Sequence, residues 1–251
     1  NLLPLEKEEN ITSIISLSTD NEEHKCLVFV TKQGLIKRTE LSEFDNIRKS
    51  GKIAITLKDD DELIYVGVTS GNDEIAIGAN NGRMVRFNEE EVRVMGRSAS
   101  GVKGIELENS IVIGAEVLKQ GQQILIVTEK GYGKKSEIEE YRLTHRGSKG
   151  VKALNITDKN GMMVALNCVD PSGNYDLMIM TDSGIIIKLP LEQVSTLKRA
   201  TQGVRLINLK DDQKVSTVAI VEKDEECGEA TTNQEETPVD KNISEQKKYA
   251  K

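Results

Sequence analysis

The fold of this chain is decided by Ile124-Leu125-Ile126-Val127-Thr128-Glu129-Lys130-Gly131 and, nineteen residues after that glycine, by the end of Arg146-Gly147-Ser148-Lys149-Gly150. An apolar run of strand length enters a glycine turn, and a second short run leaves it. A basic, glycine-containing loop follows before alternation resumes at Val151. The turn glycine recurs as Gly34, Gly82, Gly131 and Gly184, at periods of 48, 49 and 53 residues. The runs before these glycines end in Thr31, Ala79, Thr128 and Thr181. Gly51, Gly101, Gly150 and Gly203 follow the turn glycines at 17, 19, 19 and 19 residues. Self-similarity at a fixed period marks a repeat architecture.

Working outward from that stretch, four repeats span residues 11–57, 63–107, 111–156 and 163–209, and Val215 to Val221 starts a fifth. The second repeat shows the plan: Ile64 to Val68, Ile75 to Ala79, Arg83 to Phe87 and Val102 to Leu107 are four runs of strand length. Four strands per period of about 50 residues predict an all-β, propeller-like blade. Asn80-Asn81-Gly82 has the form of a hairpin loop whose glycine takes a left-handed conformation. Before each basic loop an apolar pair, Leu41 with Phe44, Ile138 with Tyr141 and Leu191 with Val194, is placed to clamp the loop to its blade. Asn1 to Glu9 resembles the end of a repeat, so the chain is expected to begin inside a blade.

Composition sets limits. Aromatic residues make up 3% of the 251 and Trp is absent, so the core must be aliphatic, which suits strands. Cys26, Cys168 and Cys227 are an odd number without a CxxC pair, which argues against a disulfide framework or a zinc site. No run approaches the ~18 apolar residues of a membrane span and no leader opens the chain, so the expected compartment is the cytoplasm. Residues 222–251 carry nine acids and five bases with almost no apolar content, and are expected to form a disordered acidic tail.

The net charge of −7 speaks against a polyanionic partner, but its distribution speaks for one. Windows 46–52, 93–103, 142–152 and 198–205 hold 13 of the 29 bases in residues 1–221 and no acid. The acids gather at other phases, such as Asp59-Asp60-Asp61-Glu62 and Glu89-Glu90-Glu91. Charges sorted by repeat phase act locally when the phases lie more than a screening length of ~8 Å apart. Equal phase would set the bases along one edge of a disc or arc, matching the regular phosphates of a duplex. The residues expected to contact them are Arg48, Lys49, Lys52, Arg93, Arg97, Lys103, Arg142, His145, Arg146, Lys149, Lys152, Lys198, Arg199 and Arg205. Gly101, Gly150 and Gly203 would let the backbone approach phosphate oxygens as well. Such contacts carry no sequence preference.

Catalysis has no support here. His24 and His145 lie at different phases with no triad arrangement, and no strand-to-helix glycine loop resembles a nucleotide fingerprint. A propeller binding protein partners through a loop face is a second reading, but three Phe, five Tyr and no Trp supply few aromatic anchors. A propeller enzyme with a central site would need carboxylates converging at one phase, whereas the acids sit on turns.

Several strings resemble the C-terminal domain of the DNA gyrase A subunit over residues 11–221. They are Leu41-Ser42-Glu43-Phe44 with Asn46-Ile47-Arg48-Lys49, Val94-Met95-Gly96-Arg97 with Gly101-Val102-Lys103-Gly104, Gly131-Tyr132-Gly133-Lys134, and Glu140-Tyr141-Arg142. The matching domain of the topoisomerase IV A subunit is resembled less. The family's Gln-Arg-Arg-Gly-Gly-Lys-Gly box belongs to a first blade upstream of Asn1. Thr144-His145-Arg146-Gly147-Ser148-Lys149-Gly150 is a degenerate internal copy, matching at Arg146, Gly147, Lys149 and Gly150.

The resemblance implies a β-pinwheel, a propeller-like disc whose blades exchange strands and whose basic rim wraps double-stranded DNA. In that family the wrap supports ATP-dependent negative supercoiling by the whole enzyme. The partners implied are DNA, the rest of the gyrase A subunit and the gyrase B subunit, with no membrane. No cofactor is implied in this chain, because ATP and magnesium are bound elsewhere in the holoenzyme, and so is the cleavage tyrosine. A family member would have six blades.

Overall fold

A computed structural model of the chain describes residues 11–15, 25–45, 51–210 and 212–223. Its strands in chain order begin with β1 (Cys26–Thr31), β2 (Leu35–Glu40), β3 (Leu63–Thr69), β4 (Glu74–Ala79), β5 (Arg83–Asn88), β6 (Val102–Lys103) and β7 (Val112–Leu118). There follow β8 (Gln123–Thr128), β9 (Tyr132–Glu137), β10 (Val151–Lys152), β11 (Met163–Val169), β12 (Tyr175–Thr181), β13 (Ile186–Pro190), β14 (Val204–Arg205) and β15 (Val215–Glu222). The four glycine turns close the hairpins β1–β2, β4–β5, β8–β9 and β12–β13. Their glycines take positive φ, +82°, +81°, +75° and +80°, in which an L side chain is strained and glycine is not.

Each hairpin is then completed by the repeat that follows it. The sheets are ordered β3-β1-β2-β6, β10-β5-β4-β7, β11-β8-β9-β14 and β13-β12-β15. The strands of one sequence period therefore serve two sheets. Runs 64–68 and 102–107, which sequence spacing groups with the hairpin at 75–87, both join the sheet before it. Only Val102 and Lys103 of the latter run pair as a strand. Beyond them the N–H of Gly104 donates to the Gly34 carbonyl at 2.8 Å, and the chain turns Ile105 and Leu107 inward.

One side of every sheet forms the hub: β3, β7, β11 and β15 pack on one another in succession. At the opposite edge lie β6, β10 and β14, the outer rim. Three aliphatic cores fill the spaces between consecutive sheets, centred on Ile75 and Ile77, on Ile124 and Ile126, and on Leu125 and Ile179, all fully buried. Each such side chain contributes about 1.5–3 kcal/mol through the water it sheds. The fourth sheet has three strands, and the outer edge of β13 is unpaired among the described residues. Ile185 and Ile186 beside it are 44% and 53% exposed.

Cys26 and Cys168 are free thiols, the first buried and the second half-buried, and burial pushes both thiols above the ordinary range. Cys227 and His24 lie outside the described residues. So does most of the expected tail, although Glu222, its first residue, closes β15. Residues 11–15, expected to open a repeat, are described without a strand. No helix among the described residues is long and apolar enough to cross a membrane.

Candidate nucleic-acid interface

Between β2 and the run before β3, and at the same phase of each later repeat, the chain makes one short 3-10 turn, at Leu41–Phe44, Glu89–Glu91, Ile138–Glu140 and Leu191–Gln193. Ile138, Tyr141, Leu191 and Val194 are buried, so this segment ties the start of the basic loop to the blade; Phe44 rests 6.2 Å from the Phe29 ring. The loop then crosses the outer edge of the preceding blade at one constant position. Met95 donates its N–H to the Arg38 carbonyl at 2.8 Å, Thr144 to that of Arg86 at 2.7 Å, and Leu197 to that of Lys135 at 2.8 Å.

A second contact repeats with the same phase. The guanidinium of Arg97 donates to the Ile53 carbonyl at 3.0 Å, that of Arg146 to Lys103 at 3.1 Å, and that of Arg199 to Lys152 at 2.9 Å. Each loop is thereby stitched to the closing segment of the repeat before it. These three arginines are partly engaged in joining blades, which leaves only their remaining donors for a ligand.

Beneath two of the loops sits a buried lysine. Lys37 donates to the carbonyls of Ala54 and Arg97, and Lys134 to those of Lys198 (2.8 Å) and Arg199; both lysines are fully buried. Burial lowers each ammonium to about 8; Arg97 adds to this at Lys37, and Glu140 opposes it at Lys134. At the same strand position the other two hairpins carry Val85 and Ile187. The loop over the second blade is anchored instead by Glu91, whose carboxylate accepts from the Arg146 N–H at 3.0 Å and lies 3.3 Å from His145 Nδ1. Counting the basic residues of the loops passes over Lys37 and Lys134. Their phase, three residues after the turn glycine and so within a strand, is the signal that sets them apart.

Of the expected contact residues, Arg93, Arg142 and Lys198 are exposed, and their side chains make no hydrogen bond or ion pair among the described residues. His145 is also exposed. Lys103 pairs with Glu106 at 2.5 Å, Lys149 pairs with Glu108, and Lys152 reaches Asn155 at 3.4 Å. Lys52 donates to the carbonyls of Glu43 and Asp45, and Arg205 to the Tyr132 hydroxyl at 2.9 Å. Arg48 and Lys49 lie outside the described residues. The glycines expected to admit phosphate serve another contact. A Cβ on Gly101, Gly150 or Gly203 would stand 2.6, 2.2 or 2.8 Å from a backbone oxygen of the preceding blade, at Ile36, Met84 or Gly133. The close approach they permit is between blades.

Strand-exchanged sheets, a hub of inner strands and a basic outer edge define a β-pinwheel. A sequence family described as DNA gyrase C-terminal domain, beta-propeller, matches residues 27–70, 73–119, 122–170 and 175–222. Those limits coincide with the hairpin-plus-inner-strand units of the sheets. The DNA gyrase A subunit of Staphylococcus epidermidis is 46% identical over 90% of this chain, and that of Staphylococcus aureus 44% identical over all of it. The chain spans 25% and 28% of the lengths of these two relatives. Among solved structures, a DNA topoisomerase IV C-terminal domain superposes with a TM-score of 0.78 at 25% identity, covering 88% of this chain and 69% of that one. A DNA gyrase A C-terminal domain gives 0.69 at 24% identity, covering 85% and 75%. The chain belongs to the DNA gyrase C-terminal domain family.

Proposed function

We propose that this chain binds and bends double-stranded DNA along its outer rim without sequence preference, as the wrapping domain of a gyrase A subunit. The observation that carries this reading is the constant phase of the basic loops, three of which are pinned by the same backbone bond to the second strand of a hairpin, so that their bases form one track rather than scattered charges. Arg93, Arg142, Lys198 and His145 would meet phosphate directly. Lys103 and Lys149 would do so by leaving exposed carboxylates and Lys152 by leaving an amide oxygen, weak surface partners because water and salt screen such contacts. By sequence phase Arg48 and Lys49 would belong to the same track, and Lys52, Arg97, Arg146, Arg199 and Arg205 would contribute those donors not held by backbone or tyrosine.

In the whole enzyme the track would present a DNA crossing to the strand-passage machinery, supporting ATP-dependent negative supercoiling together with the rest of the gyrase A subunit and the gyrase B subunit. ATP and magnesium are assigned to those other parts, and this chain is given no chemical step of its own.

The test is a titration of a mixed-sequence duplex of roughly a hundred base pairs across about 50 to 200 mM salt. With some six to ten phosphates engaged, affinity falls by roughly 10³ to 10⁵ over that range. Lys149→Ala is expected to weaken binding equally for unrelated sequences and to lower the salt slope by about 1. A loss confined to one DNA sequence, or flat and negligible binding by the unaltered chain, would overturn the reading.

A further inference from the structure

Away from the basic loops, at the hairpin-turn end of the rim, the blades differ in charge. The turn of the first hairpin, Lys32 to Gly34, faces Asp59, Asp61 and Glu62: Lys32 pairs with Glu62 at 2.8 Å, and the Gln33 N–H donates to Asp61 at 2.9 Å. The turn of the third hairpin faces the opposite character. A cleft of about 420 Å³ opens there, lined by Lys130, Lys159, Arg205, Lys210 and Lys214 around Tyr132.

This cleft has a built floor. Tyr132 is 7% exposed, and two cations approach its ring, the Arg205 guanidinium 5.4 Å and the Lys159 ammonium 5.9 Å from its centroid. Ile207 and Leu209 complete an apolar wall. Two further acids stand beside the cleft and outside its lining: Asp182, which accepts from the Lys214 N–H at 3.2 Å, and Asp158, whose backbone carbonyl accepts from Lys130 at 2.5 Å. Lys214 holds Glu129 at 2.8 Å, and Asp212 is the one acid in the lining. Lys159 and Lys210 are exposed and pair with no carboxylate among the described residues. Five cations on a concave site with one lining carboxylate favour a polyanion such as a phosphodiester backbone.

We infer that the cleft around Tyr132 is a second phosphate-binding site, reached by the DNA backbone at the third blade. The inference rests on the DNA-binding reading and deepens it. Turn-level acids repel the duplex at the first blade, and turn-level bases draw it down at the third. The track therefore crosses the rim obliquely, and a duplex following it acquires a pitch relative to the disc.

The test compares four chains against the same mixed-sequence duplex across the salt series: unaltered, Lys159→Ala/Lys210→Ala, Lys32→Ala and Lys149→Ala. Circular dichroism establishes that all four are folded. The double variant is expected to bind more weakly and to lose about 2 from the salt slope, while Lys32→Ala keeps both values, since Lys32 lies at the turn level of the acidic blade. If the double variant matches the unaltered chain while Lys149→Ala still loses a contact, the cleft is not on the track and the loop-level reading stands alone. If the Lys32 variant loses as much as the double variant, the effect is nonspecific charge and the inference falls. If the unaltered chain binds no duplex, both readings fall together.

Discussion

Glu89 occupies the position that is Leu41, Ile138 or Leu191 in the other repeats, and it is fully buried. Its carboxylate is held by Arg38 at 3.0 Å, the Thr69 hydroxyl at 2.7 Å, and the N–H groups of Gly71 and Asp73, each at 2.9 Å. An acid replaces a hydrophobic clamp because four donors converge there. Removing one member of a buried pair leaves the other charge without compensation, at a cost of about 3–5 kcal/mol. Glu89→Leu is therefore expected to lower the urea midpoint sharply, although it restores the residue type of the sister repeats. Arg38→Leu/Glu89→Leu should recover most of the loss, and a double variant no more stable than the single one would refute the pairing. In the sequence, Glu89-Glu90-Glu91 reads as one of the acidic runs on turns, at another phase than the basic loops. Its first residue is in the core and its third anchors a basic loop, because the 3-10 turn points successive side chains in different directions, which a count of charges does not register.

At the scale of the element, β13 differs from β2, β5 and β9 by lacking an outer partner among the described residues. Gly184 shows the same lack: a Cβ there would meet nothing within 4 Å, whereas one on Gly131 would stand 2.7 Å from Ile207 of the inserted segment. Amide hydrogens on an unpaired edge open to solvent without breaking a ladder. Hydrogen exchange is expected to be faster across β13 than across β2, β5 and β9, and equal protection in all four would show that another segment covers that edge. The hairpins themselves were legible from spacing: Ile75 to Ala79 and Arg83 to Phe87 are found as β4 and β5 nearly to the residue. Which sheet each remaining run joins was not legible. Val102-Lys103 has the same alternation whichever hairpin edge it meets, and the choice is made by Gly101 fitting against the Ile36 carbonyl of the earlier blade.

For the whole molecule, Glu116 is a carboxyl of the hub at odds with its surroundings. Glu116 on β7 stands beside Asn167 of β11, whose amide donates to it at 3.4 Å, and burial pushes its carboxyl up to about 7 despite that bond and the Cys168 N–H. An acid whose folded value exceeds its unfolded value stabilises the fold fully below the unfolded value, near 4.5. That contribution is lost as pH rises through about 7. Stability is expected to decline from pH 4.5 to 7 by an amount on the order of 3 kcal/mol. Glu116→Gln should flatten this decline and raise Tm above pH 7, whereas an unchanged slope in that variant would place the titration elsewhere.

The exchange of strands between neighbouring sheets also bears on how such a molecule can lengthen. A window of about fifty residues that starts at an inner strand, such as β3 to β6, contains one hairpin together with the two strands that complete the hairpin before it. Copying that window in tandem inserts a new hairpin and simultaneously supplies the strands its predecessor needs, so no sheet in the interior of the array is left short. A gene encoding this pattern can therefore gain or lose such a period and still code for interior sheets that close, and only the last hairpin depends on what lies beyond the array.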